Sequence, residues 1–125
     1  MKKTISISGA PKPIGPYSPA VLTNNMLFVS GQIPTDPNTG EFVPGGVDAQ
    51  AMQVMKNIEA LLKEAEMNFS DVVKTTIFLA DMNDFAVVNQ VYSTFFTGDY
   101  PARECVQIAR LPKDALVEIS AIAAK

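Results

Sequence analysis

The sequence predicts an α+β domain: one sheet with two helices packed on a single face. Three observations carry that prediction. Short runs near 4–7, 20–22, 26–33, 72–80, 101–109 and 115–123 are β-branched or alternate in polarity. Two windows, 47–66 and 84–96, repeat apolar residues at helical spacing. No linker, low-complexity tract or short repeat interrupts the 125 residues, so 1–125 reads as one domain with its own core.

Residues 4–7 (TISI) suit a first strand. Residues 9–19 form a loop, because Pro11, Pro13, Pro16 and Pro19 remove backbone donors and restrict their neighbours. From its local sequence, Tyr17 packs that loop against the body. Thr23-Asn24-Asn25 separates two extended runs, and asparagine tolerates positive φ, so a tight hairpin is expected. Ser30 and Gly31 interrupt the second run. The glycine there permits a bulge or a close backbone approach. The serine needs a partner, ordinarily a carbonyl, or else lines a cleft. Residues 34–46 are turn-rich; Asp36, Asn38 and Glu41 lack the spacing and the preceding helix of a calcium loop.

In the first helix, Val47, Ala51, Val54, Met55, Ile58, Leu61, Leu62 and Ala65 make one stripe, with Gln50, Gln53 and Lys56 mostly off it. Residues 72–80 (VVKTTIFLA) form a strand that is apolar on both sides after Lys74, as if both were covered. Asn83 is placed to cap a second helix over 84–96, with Phe85, Val88, Tyr92 and Phe95 facing inward and Asn89 off the centre of that stripe.

The last third, PARECVQIARLPKDALVE at 101–118, concentrates the chemistry. Arg103, Cys105 and Gln107 alternate with Val106 and Ile108; Glu118 and Ser120 alternate with Val117, Ile119 and Ala121. Leu111-Pro112-Lys113-Asp114 supplies turn chemistry, so the two runs are expected to pair as a hairpin with Gln107 opposite Glu118. Arg103, Cys105 and Glu118 would then share the sheet face away from the helices. The chain has nothing left to cover that face, which calls for another subunit. Taken alone, Arg103 in a strand reads as a surface or ion-paired arginine with Glu118 as the partner, and Cys105 as a small hydrophobe.

Composition narrows the chemistry. A net charge of −3 argues against a nucleic-acid or anionic-membrane surface. No stretch approaches a membrane span, and the N-terminal lysines precede no apolar run, so neither span nor signal peptide is expected. The single cysteine allows no internal disulfide and fits a reducing, cytoplasmic setting. The 47% hydrophobic content and mean hydropathy of +0.13 are high for a small monomer and favour self-association. Histidine is absent, which removes Ser-His-Asp and Cys-His catalysis and His-ligated zinc. Acid–base work falls to carboxylates, Tyr, Lys, Cys or water.

Four segments together, IGPYSPAV at 14–21, FVSGQIP at 28–34, VKTTIFLADMNDFAVVNQVYSTFF at 73–96 and PARECVQIARLPKDALVEISAIA at 101–123, resemble the Rid family, the reactive-intermediate imine deaminases of RidA type. The resemblance implies a chorismate-mutase-like mixed sheet and a homotrimer with three clefts between subunits. The implied reaction is hydrolysis of 2-imino acids to 2-keto acids and ammonia without cofactor or metal. Carried over position by position, the site comprises Tyr17, Ser30, Gly31, Asn89, Arg103, Cys105 and Glu118. Arg103 would clamp the substrate carboxylate and Glu118 would hold the attacking water, with the Cys105 and Gly31 backbones positioning the imine. No base is at hand to make the Cys105 thiol a nucleophile. Glu104, Gln107 and Ser120 depart from the usual pattern and bear on substrate range. Rid relatives also include proteins described as chaperone-like, translation-inhibiting or RNA-cleaving, so a regulatory small-molecule binder using the same cleft is the alternative.

Overall fold

The hairpin at Asn24-Asn25 forms as expected. Both residues have positive φ, 49° and 62°, and they join β2 (Ala20–Thr23) to β3 (Met26–Gln32) with Thr23 opposite Met26. In this computed structural model, which describes residues 1–125, six strands make one mixed sheet in the order β1-β2-β3-β6-β4-β5. The others are β1 (Lys3–Ile5), β4 (Val72–Leu79), β5 (Ala102–Gln107) and β6 (Val117–Ala124). The helices α1 (Val47–Glu64) and α2 (Phe85–Ser93) both lie on one face, as the sequence requires. Neither helix is long and apolar enough to cross a membrane.

The core is the seam between helices and sheet. From α1, Ala51, Val54, Met55, Ile58, Leu61 and Leu62 are buried against Leu27, Ile77, Leu79, Val117 and Ile119. Burying each larger side chain contributes about 2 kcal/mol. Gln50 was expected off the stripe, yet it is buried and accepts the Leu116 N–H at 2.8 Å. Asn57 is buried too, donating to the carbonyls of Ile33 (3.3 Å) and Thr35 (2.9 Å) and accepting from Gln53 (2.8 Å). These carboxamides bind α1 to two loops, pairing the Thr35 carbonyl and the Leu116 N–H and sharing the Ile33 carbonyl with the Thr35 N–H.

α2 is shorter than expected, and Asn83 is not its cap. The Asp81 carboxylate accepts the Asn83 N–H at 2.8 Å and closes a 3-10 turn, Met82–Asp84, through which the chain enters the helix. The capping position is thereby moved two residues upstream.

The expected terminal hairpin does not form. β5 pairs in parallel with β4, and β6 pairs antiparallel with β4 on its other side and with β3. Leu111–Asp114 is a turn and the chain does reverse across it, but β6 passes to the far side of β4 instead of pairing with β5. Two physical reasons decide this. The α2 crossover between β4 and β5 suits parallel neighbours. β5 bears Arg103, Glu104 and Gln107 across both faces and so belongs at an edge, whereas Val117, Ile119, Ala121 and Ala123 are buried in a central β6.

That topology also corrects the faces. Arg103, Cys105 and Gln107 register with Thr75, Ile77 and Leu79, which face the helices. Glu118 registers with Phe78, on the opposite face, so it does not oppose Gln107. Val106, expected in the core, stands 42% exposed on the open face with Phe28 at 41% and Met26 at 36%. β4 is therefore covered on one side only within the chain.

Candidate active site

Arg103 is built into the edge of the sheet. Its Nη1 donates to Asn89 Oδ1 on α2 at 2.7 Å. Its guanidinium carbon lies 5.5 Å from the Phe85 ring centroid and 5.0 Å from that of Tyr92. Phe85, Asn89 and Tyr92 are spaced i, i+4, i+7, so α2 presents all three on the face over β5. Tyr92 is fixed in turn, its hydroxyl 2.8 Å from Thr75 Oγ1. Burial raises the Tyr92 pKa, opposed by the Thr75 hydrogen bond and by Arg103, so the phenol stays neutral. A depression of about 480 Å3 opens here, lined by Asn89, Tyr92, Ser93, Tyr100, Pro101 and Arg103.

Glu118 belongs to a second group. The β3–β6 register slips between Val29 and Gln32, forming a bulge at Ser30-Gly31. A β-carbon added at Gly31 would stand 2.7 Å from Glu118 Cδ, so the missing side chain is what lets the carboxylate lie across that backbone. Ser30 Oγ donates to the Ser18 carbonyl at 2.7 Å, and the Ser30 N–H donates to Pro19 O at 2.9 Å, tying the proline loop to the bulge. Tyr17, rather than packing that loop down, is 60% exposed. It lines a cleft of about 410 Å3 with Lys12, Gly31, Gln32, Ile33 and Lys113.

The structure therefore brings Asn89, Arg103 and Cys105 together, and separately Tyr17, Ser30, Gly31 and Glu118. The chain's two ion pairs are Lys74–Glu104 at 3.3 Å and Arg110–Asp114 at 2.7 Å. Arg103 and Glu118 are in neither, so the ion-pair reading of them fails. Glu118 is half-buried, and burial raises its carboxyl pKa above the usual glutamate value. Burial likewise raises the Cys105 thiol, with Arg103 opposing; the thiol is protonated at neutral pH and packs against the core edge.

Of the departures from the family pattern, Glu104 accepts from Thr76 at 2.6 Å and pairs with Lys74 on the open face. Gln107 accepts the Met82 N–H at 2.8 Å, which fixes the start of α2 rather than the surroundings of Glu118. Ser120 follows Glu118 on the open face, opposite Thr76. Phe85 and Tyr92 were legible only as inward-facing apolar residues. Their spacing with Asn89 was the available signal, but it points to Arg103 only once β5 is known to lie beneath α2.

The family model described as Endoribonuclease L-PSP matches residues 7–125. A rat protein named 2-iminobutanoate/2-iminopropanoate deaminase is 52% identical over 123 residues, covering 98% of this chain and 90% of its own. A Yersinia pestis protein of the conserved Rid protein family has a solved structure that superposes with a TM-score of 0.95 at 44% identity, covering all of both chains. The Escherichia coli protein TdcF, solved with bound serine, gives a TM-score of 0.92 at 46% identity over 98% of each chain. With identity at this level across the full length, the same fold, and the four segments in their order, the chain belongs to the Rid family.

Proposed function

We propose that this chain is an imine deaminase that hydrolyses 2-imino acids to 2-keto acids and ammonia, working as a homotrimer with its sites between subunits. The observation that carries this reading is the pair of unmatched charges: a preorganised guanidinium on one face and a half-buried carboxylate on the other, neither with a counter-ion of its own. A subunit laid on the apolar open face would bring one copy's Arg103 toward the next copy's Glu118. The deaminase names of full-length relatives at about half identity support the reaction class. The serine bound to TdcF is an α-amino carboxylate, a ligand of the kind a guanidinium fork would hold.

The reaction balances with water alone. Water adds to the imine carbon, its proton passes to the nitrogen, and the resulting carbinolamine loses ammonia to leave the keto acid. Arg103 holds the substrate carboxylate through two parallel hydrogen bonds. Glu118 accepts a proton from water and returns it to the departing nitrogen, a role suited to a carboxyl whose pKa lies above the ordinary value. Backbone groups at Gly31 and Cys105 orient the imine, and Tyr17, Ser30 and Asn89 line the cleft. Uncatalysed hydrolysis is already easy, so alignment supplies most of the acceleration.

The test generates an imino acid with an amino-acid oxidase and lets semicarbazide compete for it. The protein should hasten imine loss, and Arg103→Lys should cost about thirty- to a thousand-fold in kcat/KM, because an ammonium cannot copy the planar fork. Parental activity in Arg103→Lys would refute the clamp. Tight keto-acid binding with no turnover would instead make the protein a ligand sensor. The ribonuclease description of the family model finds little support in a chain of net charge −3 without histidine.

A further inference from the structure

We infer that Phe85 and Tyr92 are positioning residues that fix the plane of the Arg103 guanidinium and so set affinity for the substrate carboxylate; this rests on the proposed clamp. Arg103 is exposed and carries no carboxylate partner, conditions under which an arginine ordinarily samples many rotamers. Here three contacts from one helix restrain it. Asn89 takes one N–H, and the rings of Phe85 and Tyr92 lie within cation–π range at 5.5 and 5.0 Å. The rings attract the charge without using its donors. Asn89 engages Nη1, which leaves Nε and Nη2 for a carboxylate. The Thr75 hydroxyl, buried beneath, keeps the Tyr92 ring from turning away. An arginine already immobilised loses less freedom when ligand arrives, so the aromatic contacts should appear in binding rather than in the chemical step.

Phe85 is the residue to change. It is half-buried at the start of α2, whereas Tyr92 is core. Phe85→Leu keeps apolar volume and removes the ring. It should weaken 2-oxobutanoate binding by calorimetry, and raise KM in the semicarbazide assay, by roughly three- to thirty-fold with kcat held within about two-fold. Phe85→Tyr should restore most of the affinity. In a double-mutant cycle, Phe85→Leu should cost little once Arg103 is already lysine. Thermal melting and sedimentation of each variant report fold and assembly.

If Arg103→Lys weakens binding while Phe85→Leu, folded and assembled, binds like the parent, the positioning role is overturned and the clamp stands. If Arg103→Lys itself binds like the parent, the clamp fails and the positioning role fails with it. A fall in kcat with unchanged affinity, or a Phe85→Tyr variant no better than leucine, also overturns the proposal.

Discussion

Glu118 meets no cation in its own chain, so burial alone sets its pKa, and the sign of the pH effect follows. Well below the ordinary glutamate value of 4.5 the carboxyl is protonated whether the chain is folded or not. As pH rises, the unfolded chain ionises first; the folded one holds its proton longer and then ionises at a cost. Stability from this group is therefore present in acid and lost as pH climbs through the raised pKa. Glu118→Gln, which cannot ionise, should melt above the parent at neutral pH, with the gap closing toward about pH 4. Turnover should move the other way. The parent's kcat/KM should fall on the acid side at a pH above that of an ordinary glutamate, and Glu118→Gln should lose turnover while still binding a 2-keto acid. A variant that melts below the parent at neutral pH would mean that Glu118 has a stabilising partner in the assembled protein.

Among the elements, α1 reaches the site without touching it. Asn57 ties down the Ile33 and Thr35 carbonyls just after the Gly31 bulge, and Gln50 holds Leu116, two residues before Glu118. Asn57→Ala would leave the Thr35 carbonyl unpaired, while Ile33 O keeps the Thr35 N–H at 2.7 Å, so it should cost about 1–3 kcal/mol in urea unfolding. Asn57→Asp should cost as much or more, because it adds a buried charge beside carbonyl oxygens. A loss within experimental error would mean that water replaces the carboxamide.

These contacts mark where the sequence stops being legible. The stripe of α1, the Asn24-Asn25 turn and the Gly31 bulge are local signals, and each was readable. Gln50 and Asn57 are polar residues on a helix, and only the path of distant loops decides that they are buried. The partner of β5 is hidden for the same reason: a proline turn suggests pairing across it, and the chain does reverse there, but the crossover through α2 and the polar faces of β5 put β4 between the two runs. The family resemblance implies a set of candidate site residues without saying which faces they occupy. A single misplaced strand was therefore enough to put Arg103 and Glu118 wrongly together.

For the molecule as a whole, the separation of those two residues makes the strongest demand. They lie on opposite faces of the sheet and three residues apart along β4, about 10 Å in that direction alone. No rotamer change brings a carboxylate through a packed sheet, so a site using both must draw them from different copies. The apolar open face, with Met26, Phe28 and Val106 exposed, is where a copy would sit. Complementation tests this directly. Arg103→Ala and Glu118→Ala subunits should each be nearly inactive as homotrimers. If each site takes Arg103 from one subunit and Glu118 from the next around the ring, every mixed trimer contains one intact site and two broken ones. Random reassembly makes about three quarters of the trimers mixed, so unfolding the two variants together and refolding them should restore about a quarter of parental activity. Each variant refolded alone should recover none. Sedimentation of the refolded mixture should give trimers. If the mixture stays as inactive as its parts while forming mixed trimers, Arg103 and Glu118 do not serve a common site across the interface.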